Sequence, residues 1–459
     1  MNQLLLTYYG DDFTGSTDSL EVLTFGGVGA ALFLAPPQPH HLQGRFANLR
    51  ALGVAGASRS MSPAQMEGEL RPKFELLKGL DAPLVHYKTC STFDSSPEVG
   101  SIGRATDIGQ SVFQSPFVPM VVGAPNLRRY VAFANLFATV DGETYRLDRH
   151  PTMSRHPVTP MTESDLRRHL ARQTERRAVS FDLLALAGPD QKVDRRFHAL
   201  LASQPEIVLF DTLDADHLYQ IGRLIWNCVR ERQGDRPLYA VGSSGVEYAL
   251  VTYWQQSGLL DGAPAPAAPG PVEQLIVMSG SGSPATAAQI DWAERNGFVT
   301  LRLDSAALID PGQAPVERQR ALRGALDALA TGQSVVLYSA RGPDDPAIAA
   351  TKAQAVCLGL EPGLSGHRLA AQQGEIVRAL LQETGLRRVC LAGGDTCSHA
   401  TPALGIYALE AIAPLAPGSP LCRASSEQRE MDGLEIALKG GQVGGADFFG
   451  LIRAGRRHP

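Results

Sequence analysis

The sequence predicts an α/β protein of two domains, each with a mainly parallel sheet flanked by helices, and a ligand cleft between them. Three observations predict it. Short apolar runs alternate with longer amphipathic stretches in both halves, the pattern of strands joined by crossover helices. The chain has 459 residues, more than one ordinary core holds. The stretch "DGAPAPAAPGP", Asp261 to Pro271, alternates Pro and Ala with no periodic apolar face and reads as a stiff linker. The expected division is an N-terminal domain 1–260, a linker 261–271 and a C-terminal domain 272–459.

The elements follow in order. In the first half, strands are expected at Gln3–Tyr8, Ala51–Ala55, Leu84–Lys88, Met120–Val122, Ile207–Phe210 and Leu238–Val241. In the second half they are expected at Gln274–Met278, Ser334–Tyr338 and Arg388–Leu391. Amphipathic helices are expected over Asp216–Arg232, Ala285–Asn296 and Val316–Thr331. No short-period repeat is present, which disfavours solenoids and propellers. In parallel sheets ligands gather beyond the carboxyl ends of the strands, and the polar, Gly-rich segments of this chain fall there.

Bulk composition narrows the function classes. Apolar residues make up 44% and charged residues 19%, the range of a globular protein. The net charge of −5 argues against nucleic acid or an anionic membrane as partner, since both want a basic excess. No apolar run is long enough for a membrane span. The N-terminus "MNQLLLTYYGDD" lacks the basic region of a secretory signal. The six cysteines, Cys90, Cys228, Cys357, Cys390, Cys397 and Cys422, lie far apart without a CxxC, so neither a disulfide framework nor a zinc site is expected. A cytoplasmic location is the simplest expectation, and a homo-oligomer is left open.

In the first half, "GDDFTGSTD" follows a strand. Asp18 with Glu21 three residues later predicts a helix start near Ser19. Asp11 and Asp12 are adjacent carboxylates where a turn needs only one, so Asp12 is a candidate acceptor for the hydroxyls of a polyol. In "GASRSMSP", Arg59 could pair bidentately with a substrate carboxylate or be a solvated surface residue. In "HYKTCSTFDSSPEVGSIGRA", Lys88 ends a strand, and Thr89, Cys90, Ser91 and Thr92 follow. A lysine with a hydroxyl cluster suits an anionic, oxygen-rich ligand. No base is placed near Cys90, so an inert cysteine is expected over a nucleophile. His150 and His156 fall in a Pro-interrupted loop without metal-ligand spacing. "MTESDL" is read as a helix start capped by its Thr or Ser.

The second half carries three Gly-rich loops. "VMSGSGSPAT" ends a strand and opens a helix, so Ser281, Ser283 and their neighbours could turn backbone N–H groups toward an anion. It lacks the lysine of GxxxxGK[ST] and the GxGxxG spacing. "VCLAGGDTCSHATPALGI" repeats the design with Gly393, Gly394, Asp395 and Thr396, and helix is expected to resume near Ser398 with Pro402 early in it. Asp395 could hold Mg²⁺ through water or take a proton from an attacking hydroxyl. "LKGGQVGGADFF", with Gly440 and Gly441, is the third loop. Three such loops in one domain favour nucleotide binding over coincidence.

Together "DDFTGSTD", "SRS", "YKTCST", "APNLRRYVAFANLFA", "HPVTPMTESDL", "GSSG", "SGSGSP", "GGDT" and "LKGG" occur in an order that resembles the four-carbon acid sugar kinase family over nearly the whole chain. The resemblance implies an N-terminal sugar-acid-binding domain and a C-terminal nucleotide-binding domain. It implies ATP-dependent phosphorylation of a tetronate such as threonate, erythronate or 3-oxo-tetronate. It places Asp11, Asp12, Arg59, Lys88, Thr89, Cys90 and Ser91 at the acid sugar. It places Ser281 or Ser283, Gly393, Gly394, Asp395, Thr396, and Gly440 or Gly441 at ATP. One stretch departs: relatives read approximately "KIDSTLRGNIG" where this chain has "KTCSTFDSSPEVGSIG". Cys90 replaces the familiar Asp, and Phe93-Asp94-Ser95 replaces Leu-Arg-Gly, which puts the substrate's identity in question.

The expected mechanism has Arg59 and Lys88 neutralise the substrate carboxylate while Asp12 accepts from its hydroxyls. ATP with Mg²⁺ would sit on the C-terminal loops, and closure of the domains would align acceptor and phosphorus. Asp12 and Asp395 are the two candidate bases. Two alternatives are a non-catalytic sugar-acid sensor, which the unusual Cys90–Ser96 stretch permits, and a nicotinamide-dependent oxidoreductase, which the missing GxGxxG opposes.

Overall fold

The computed structural model describes residues 4–140, 142–156, 158–232, 236–260, 262, 269–361 and 363–456. The chain divides into two compact units, Met1–Pro264 and Ala265–Pro459. Most of the expected linker, residues 261 and 263–268, lies outside the described residues, as does residue 3 of the expected first strand.

Unit 1 holds strands β1 (Leu6–Gly10), β2 (Ala30–Phe33), β3 (Ala51–Ala55), β4 (Leu84–Lys88), β5 (Val118–Val121), β6 (Arg129–Ala132), β7 (Asn135–Val140), β8 (Glu143–Arg146), β9 (Ala178–Phe181), β10 (Ile207–Phe210) and β11 (Leu238–Gly242). Its main sheet has the order β2-β3-β1-β4-β11-β5-β10-β9, and its pairings are parallel. Every residue of β1, β3, β4 and β11 is buried, as expected where helices cover both faces. Tyr9 stacks on Tyr87 with ring centroids 6.0 Å apart, and Phe74 meets Tyr9 edge-on. A separate antiparallel sheet, β6-β7-β8, was not legible as strands.

Unit 2 holds β12 (Ile276–Ser279), β13 (Phe298–Arg302), β14 (Ser334–Tyr338), β15 (Arg388–Ala392), β16 (Ile406–Ala416), β17 (Ser419–Ser426) and β18 (Glu435–Lys439). The order is β13-β14-β12-β15-β18-β17-β16. The first five are parallel neighbours, and β16, β17 and β18 pair antiparallel. Leu275, Val277, Ile290, Phe298, Cys390, Phe448 and Phe449 are buried in one core cluster. The helices Ala215–Glu231, Pro284–Arg295 and Ala314–Ala330 lie within two residues of their expected bounds.

Three expected helix starts are corrected. The first helix begins at Phe13, not near Ser19, because the Asp12 carboxylate already caps it by accepting from Gly15 N at 2.5 Å. Asp18 is therefore a buried residue within that helix. The cap of helix Leu166–Leu170 is Asp165, since Ser164 Oγ is engaged with Asn135 Oδ1 at 2.9 Å. The helix after β15 starts at Gly394 and contains Pro402 in its last turn, since Gly393 turns the chain early at φ 118°.

Candidate functional site

In unit 1 the ends of β1, β4, β11 and β5 are laced together by their backbones. Asp11 N donates to Lys88 O at 2.9 Å, Thr89 N to Gly242 O at 2.6 Å, and Ser243 N to Val121 O at 2.9 Å. Arg59 N donates to Asp11 O at 3.0 Å, which adds the turn Ser58–Ser60. The structure thus brings Asp11, Asp12, Arg59 and Lys88–Cys90 to one end of the sheet. Two glycines permit this packing. A Cβ on Gly10 would lie 1.9 Å from Ser16 Oγ, and one on Gly15 would lie 2.4 Å from Asp12 Oδ1.

The charges there are paired. Arg59 donates from Nε and Nη2 to Asp11 at 3.2 and 2.8 Å, and its Nη1 lies 2.9 Å from Asp12 Oδ2. Burial works against the Arg59 cation, but Asp11 and Asp12 outweigh it and hold its pKa well above the ordinary value. Asp12 also accepts from Thr14 Oγ1 at 3.2 Å. Lys88 Nζ is buried, donates to Thr89 O at 3.0 Å and lies 3.5 Å from Asp18 Oδ2. Burial pulls its pKa down, and Asp18 and Asp11 reverse that to leave it raised. Burial raises the carboxyl pKa of both Asp11 and Asp18, with Arg59 and Lys88 respectively opposing.

The departing stretch folds inward. Asp94 is buried and accepts from Thr92 Oγ1 at 2.5 Å. Burial would raise its pKa, but Arg59 and Thr92 lower it, so Asp94 is anionic at neutral pH. Burial and then Asp94 push the Cys90 thiol up, which works against a thiolate nucleophile. Ser91 is half-buried beside it. His150 Nδ1 accepts from Thr152 N and Met153 N at 3.2 Å, and His156 Nδ1 from Thr159 N at 3.1 Å, so both rings close local turns.

In unit 2 the adjacent parallel strands β12, β15 and β18 end in the three Gly-rich loops. Gly280 N donates to Ala392 O and Gly393 N to Lys439 O, at 2.9 and 2.8 Å, so the loops leave the sheet side by side. Ser283 caps helix Pro284–Arg295 by accepting from Thr286 N at 3.1 Å and donates to Gly441 O at 2.5 Å. Thr286 Oγ1 donates to Ser281 Oγ at 3.1 Å. Thr396 Oγ1 donates to Gln373 Oε1 at 3.2 Å. A Cβ on Gly280 would sit 2.1 Å from Thr396 Oγ1, so that glycine is required by contact. A side chain at Gly394 would meet open space, and Asp395 is exposed beside it in the first turn of helix Gly394–Ala403.

Lys439 was missed, although "LKGG" was visible. Its ammonium is buried and donates to Thr286 Oγ1, Gly440 O and Gly441 O at 2.8, 2.9 and 3.1 Å. Burial lowers its pKa to about 8, with Cys390 and Cys397 opposing. Glycines are the phosphate-loop signal in a sequence, whereas the lysine's side-chain partner, Thr286, comes from a distant helix.

The loop pair Ser279–Ser283 and Gly393–Thr396 fits a polyphosphate. Both lead into helix N-termini, where unpaired backbone N–H groups and the helix dipole favour an anion. A model described as a sugar-binding N-terminal domain matches residues 6–250, and one described as a nucleotide-binding C-terminal domain matches 276–449. The chain is 49% identical over 453 residues to 3-oxo-isoapionate kinase of Paraburkholderia graminis, covering 99% of this chain and 95% of that protein. The chain belongs to the four-carbon acid sugar kinase family. It is 32% identical to 3-oxo-tetronate kinase of Pseudomonas savastanoi pv. phaseolicola, covering 97% and 96% of the two chains. A solved protein of Salmonella typhimurium LT2 shares the fold at a TM-score of 0.77 and 23% identity, covering 97% and 98%. A Haemophilus influenzae protein does so at 0.71 and 22%, covering 97% and 99%. This acid sugar kinase is an ATP-dependent phosphotransferase with a hydroxyl as acceptor, so the sensor and the oxidoreductase are set aside. Among the described residues, no helix is long and apolar enough to cross a membrane.

Proposed function

We propose that this kinase phosphorylates a hydroxyl of a 3-oxo sugar acid of the isoapionate or tetronate type, with unit 1 holding the acid and unit 2 the nucleotide. The observation that carries the reading is the contrast between the two strand-end sites. Unit 1 offers carboxylates and hydroxyls around paired cations, which suits a polyol. Unit 2 offers glycine loops and two helix N-termini, which suit a polyphosphate. The names of the 49% and 32% identical relatives support a 3-oxo acid over plain threonate or erythronate.

ATP supplies the phosphoryl group, and its Mg²⁺ would be held by phosphate oxygens with Asp395 reaching it through water. Ser281, Ser283, Gly393 to Thr396, Gly440 and Gly441 line the cradle for the phosphates. Asp12, with Asp11, fixes Arg59 and orients the substrate hydroxyls. Of the two candidate bases Asp395 is favoured. The oxygens of Asp12 already accept from Gly15 N, Thr14 Oγ1 and Arg59, whereas Asp395 is exposed at the cradle.

The test is coupled ADP release with a panel of 3-oxo-isoapionate, 3-oxo-tetronate, threonate and erythronate. Turnover is expected to be fastest with a 3-oxo acid. Asp395→Asn is expected to lose at least about 100-fold in kcat while ADP still binds. Equal turnover of all four acids would remove the 3-oxo assignment, and near-normal kcat in the variant would remove Asp395 as base.

A further inference from the structure

The cations expected to bind the substrate carboxylate are already occupied. Arg59 presents its Nε/Nη2 edge to Asp11, and its Nη1 to Asp12. Lys88 faces Asp18. The departing stretch adds a further buried anion, Asp94. A sugar acid entering this sheet end therefore meets acids whose cations are spent, unless another cation receives its carboxylate.

Arg129 is the candidate for that cation. It begins β6, just past the end of β5. Ala124 N donates to Arg129 O at 2.9 Å and Arg129 N to Ala124 O at 3.1 Å, which pins it beside the end of the sheet. Its neighbour there is β11, since Ser243 Oγ donates to Val122 O at 2.7 Å. Burial lowers the pKa of Arg129 with Cys90 opposing, and Arg129 adds to the burial that lowers His150, so the guanidinium lies within electrostatic reach of Cys90 and of His150.

The hydrogen bonds of Arg129 are lopsided. Nη1 donates to Leu127 O, Arg128 O and Thr139 O at 2.9, 3.2 and 3.4 Å. Nε is buried without a hydrogen-bond partner, and among the described residues no carboxylate pairs with the side chain. The edge left open, Nε with Nη2, is the edge by which an arginine grips a carboxylate with two parallel bonds. Elsewhere in unit 1 that same edge is filled by acids: Asp11 on Arg59, Asp148 on Arg146 and Asp165 on Arg167. A buried donor left unmet is costly, and a ligand carboxylate removes that cost.

We propose that Arg129 is the residue that binds the carboxylate of the sugar acid, through its Nε/Nη2 edge, and that Arg59 and Lys88 instead hold the aspartates in place. This rests on the sugar-acid kinase reading above. The carbonyl bonds of Nη1 fix the fork in position before substrate arrives, so recognition costs little ordering.

The experiment compares the panel acid that the wild-type enzyme turns over fastest with its uncharged carboxamide. Wild type is expected to prefer the acid, with a lower KM. Arg129→Gln is expected to raise KM for the acid about 30-fold, the worth of a charge-assisted bidentate pair. KM for the carboxamide and for ATP are expected to hold within about twofold. Arg129→Lys, which keeps the charge but not the fork, is expected to fall between, and serves if the Gln variant does not fold. An unchanged acid KM in a folded variant, or an equal rise for acid and carboxamide, overturns the assignment. If the wild type turns over no panel acid, the underlying reading falls first and takes this one with it.

Discussion

Replacing Lys439 by Met tests the centre of the nucleotide loops. The folded-state pKa of Lys439 is lowered to about 8 from the ordinary 10.5 by burial. Below pH 8 the amine is protonated whether the chain is folded or not. Between pH 8 and 10.5 the folded form sheds its proton while the unfolded form keeps it. Unfolding then takes up a proton, so stability contributed by this group rises with pH through that window. At 1.36 kcal/mol per pH unit the full gain is about 3 kcal/mol. Other groups titrate there too, but they cancel in the difference between wild type and Lys439→Met. The assay is urea unfolding of both proteins from pH 7 to 10.5, in a Trp226→Phe, Trp254→Phe background. Fluorescence then reports Trp292, which lies in unit 2 against Gly450. Wild type is expected to gain on the variant as pH rises. Parallel curves, or a gain for the variant, would mean the ammonium is not desolvated as the structure implies.

Two further perturbations test the two strand-end sites separately. Gly280→Ala puts a Cβ 2.1 Å from Thr396 Oγ1, so Thr396 must leave Gln373 or the loop must shift, at a cost of about 1–3 kcal/mol. KM for ATP is expected to rise about tenfold with the sugar-acid KM held, and steady-state kinetics with each substrate varied would show otherwise. Asp12→Ala removes the cap on Gly15 N and a contact of Arg59, and is expected to cost about 1–2 kcal/mol in thermal unfolding. Asp12→Asn keeps an oxygen for the cap and is expected to lose much less; equal losses would show that the cap contributes nothing.

Much of the fold was written locally. The strands at Ala51–Ala55, Leu84–Lys88, Ile207–Phe210 and Ser334–Tyr338 stand where apolar runs placed them. Such runs are fully buried in parallel sheets, so composition alone marks them. The antiparallel β16 and β17 were not legible, because their burial is set by the neighbours they pair with. The first helix was misplaced because both Asp12 and Asp18 satisfy a capping pattern, and only the chain's path shows which carboxylate faces free N–H groups.

What the sequence determined by itself was which chemistry stands at which strand end: adjacent aspartates after β1, a lysine as the last residue of β4, glycine loops after β12, β15 and β18. These follow from spacing within a few residues, which local sterics and backbone geometry govern. What only the tertiary structure decided was which charges are spent and which are free. Arg59 meets Asp11 across 48 residues, and Lys439 meets Thr286 across 153. Arg129 keeps its Nε without a partner among the described residues. Charge pairing is a property of distance in space, and a linear sequence carries no record of which distant groups the fold will bring into reach.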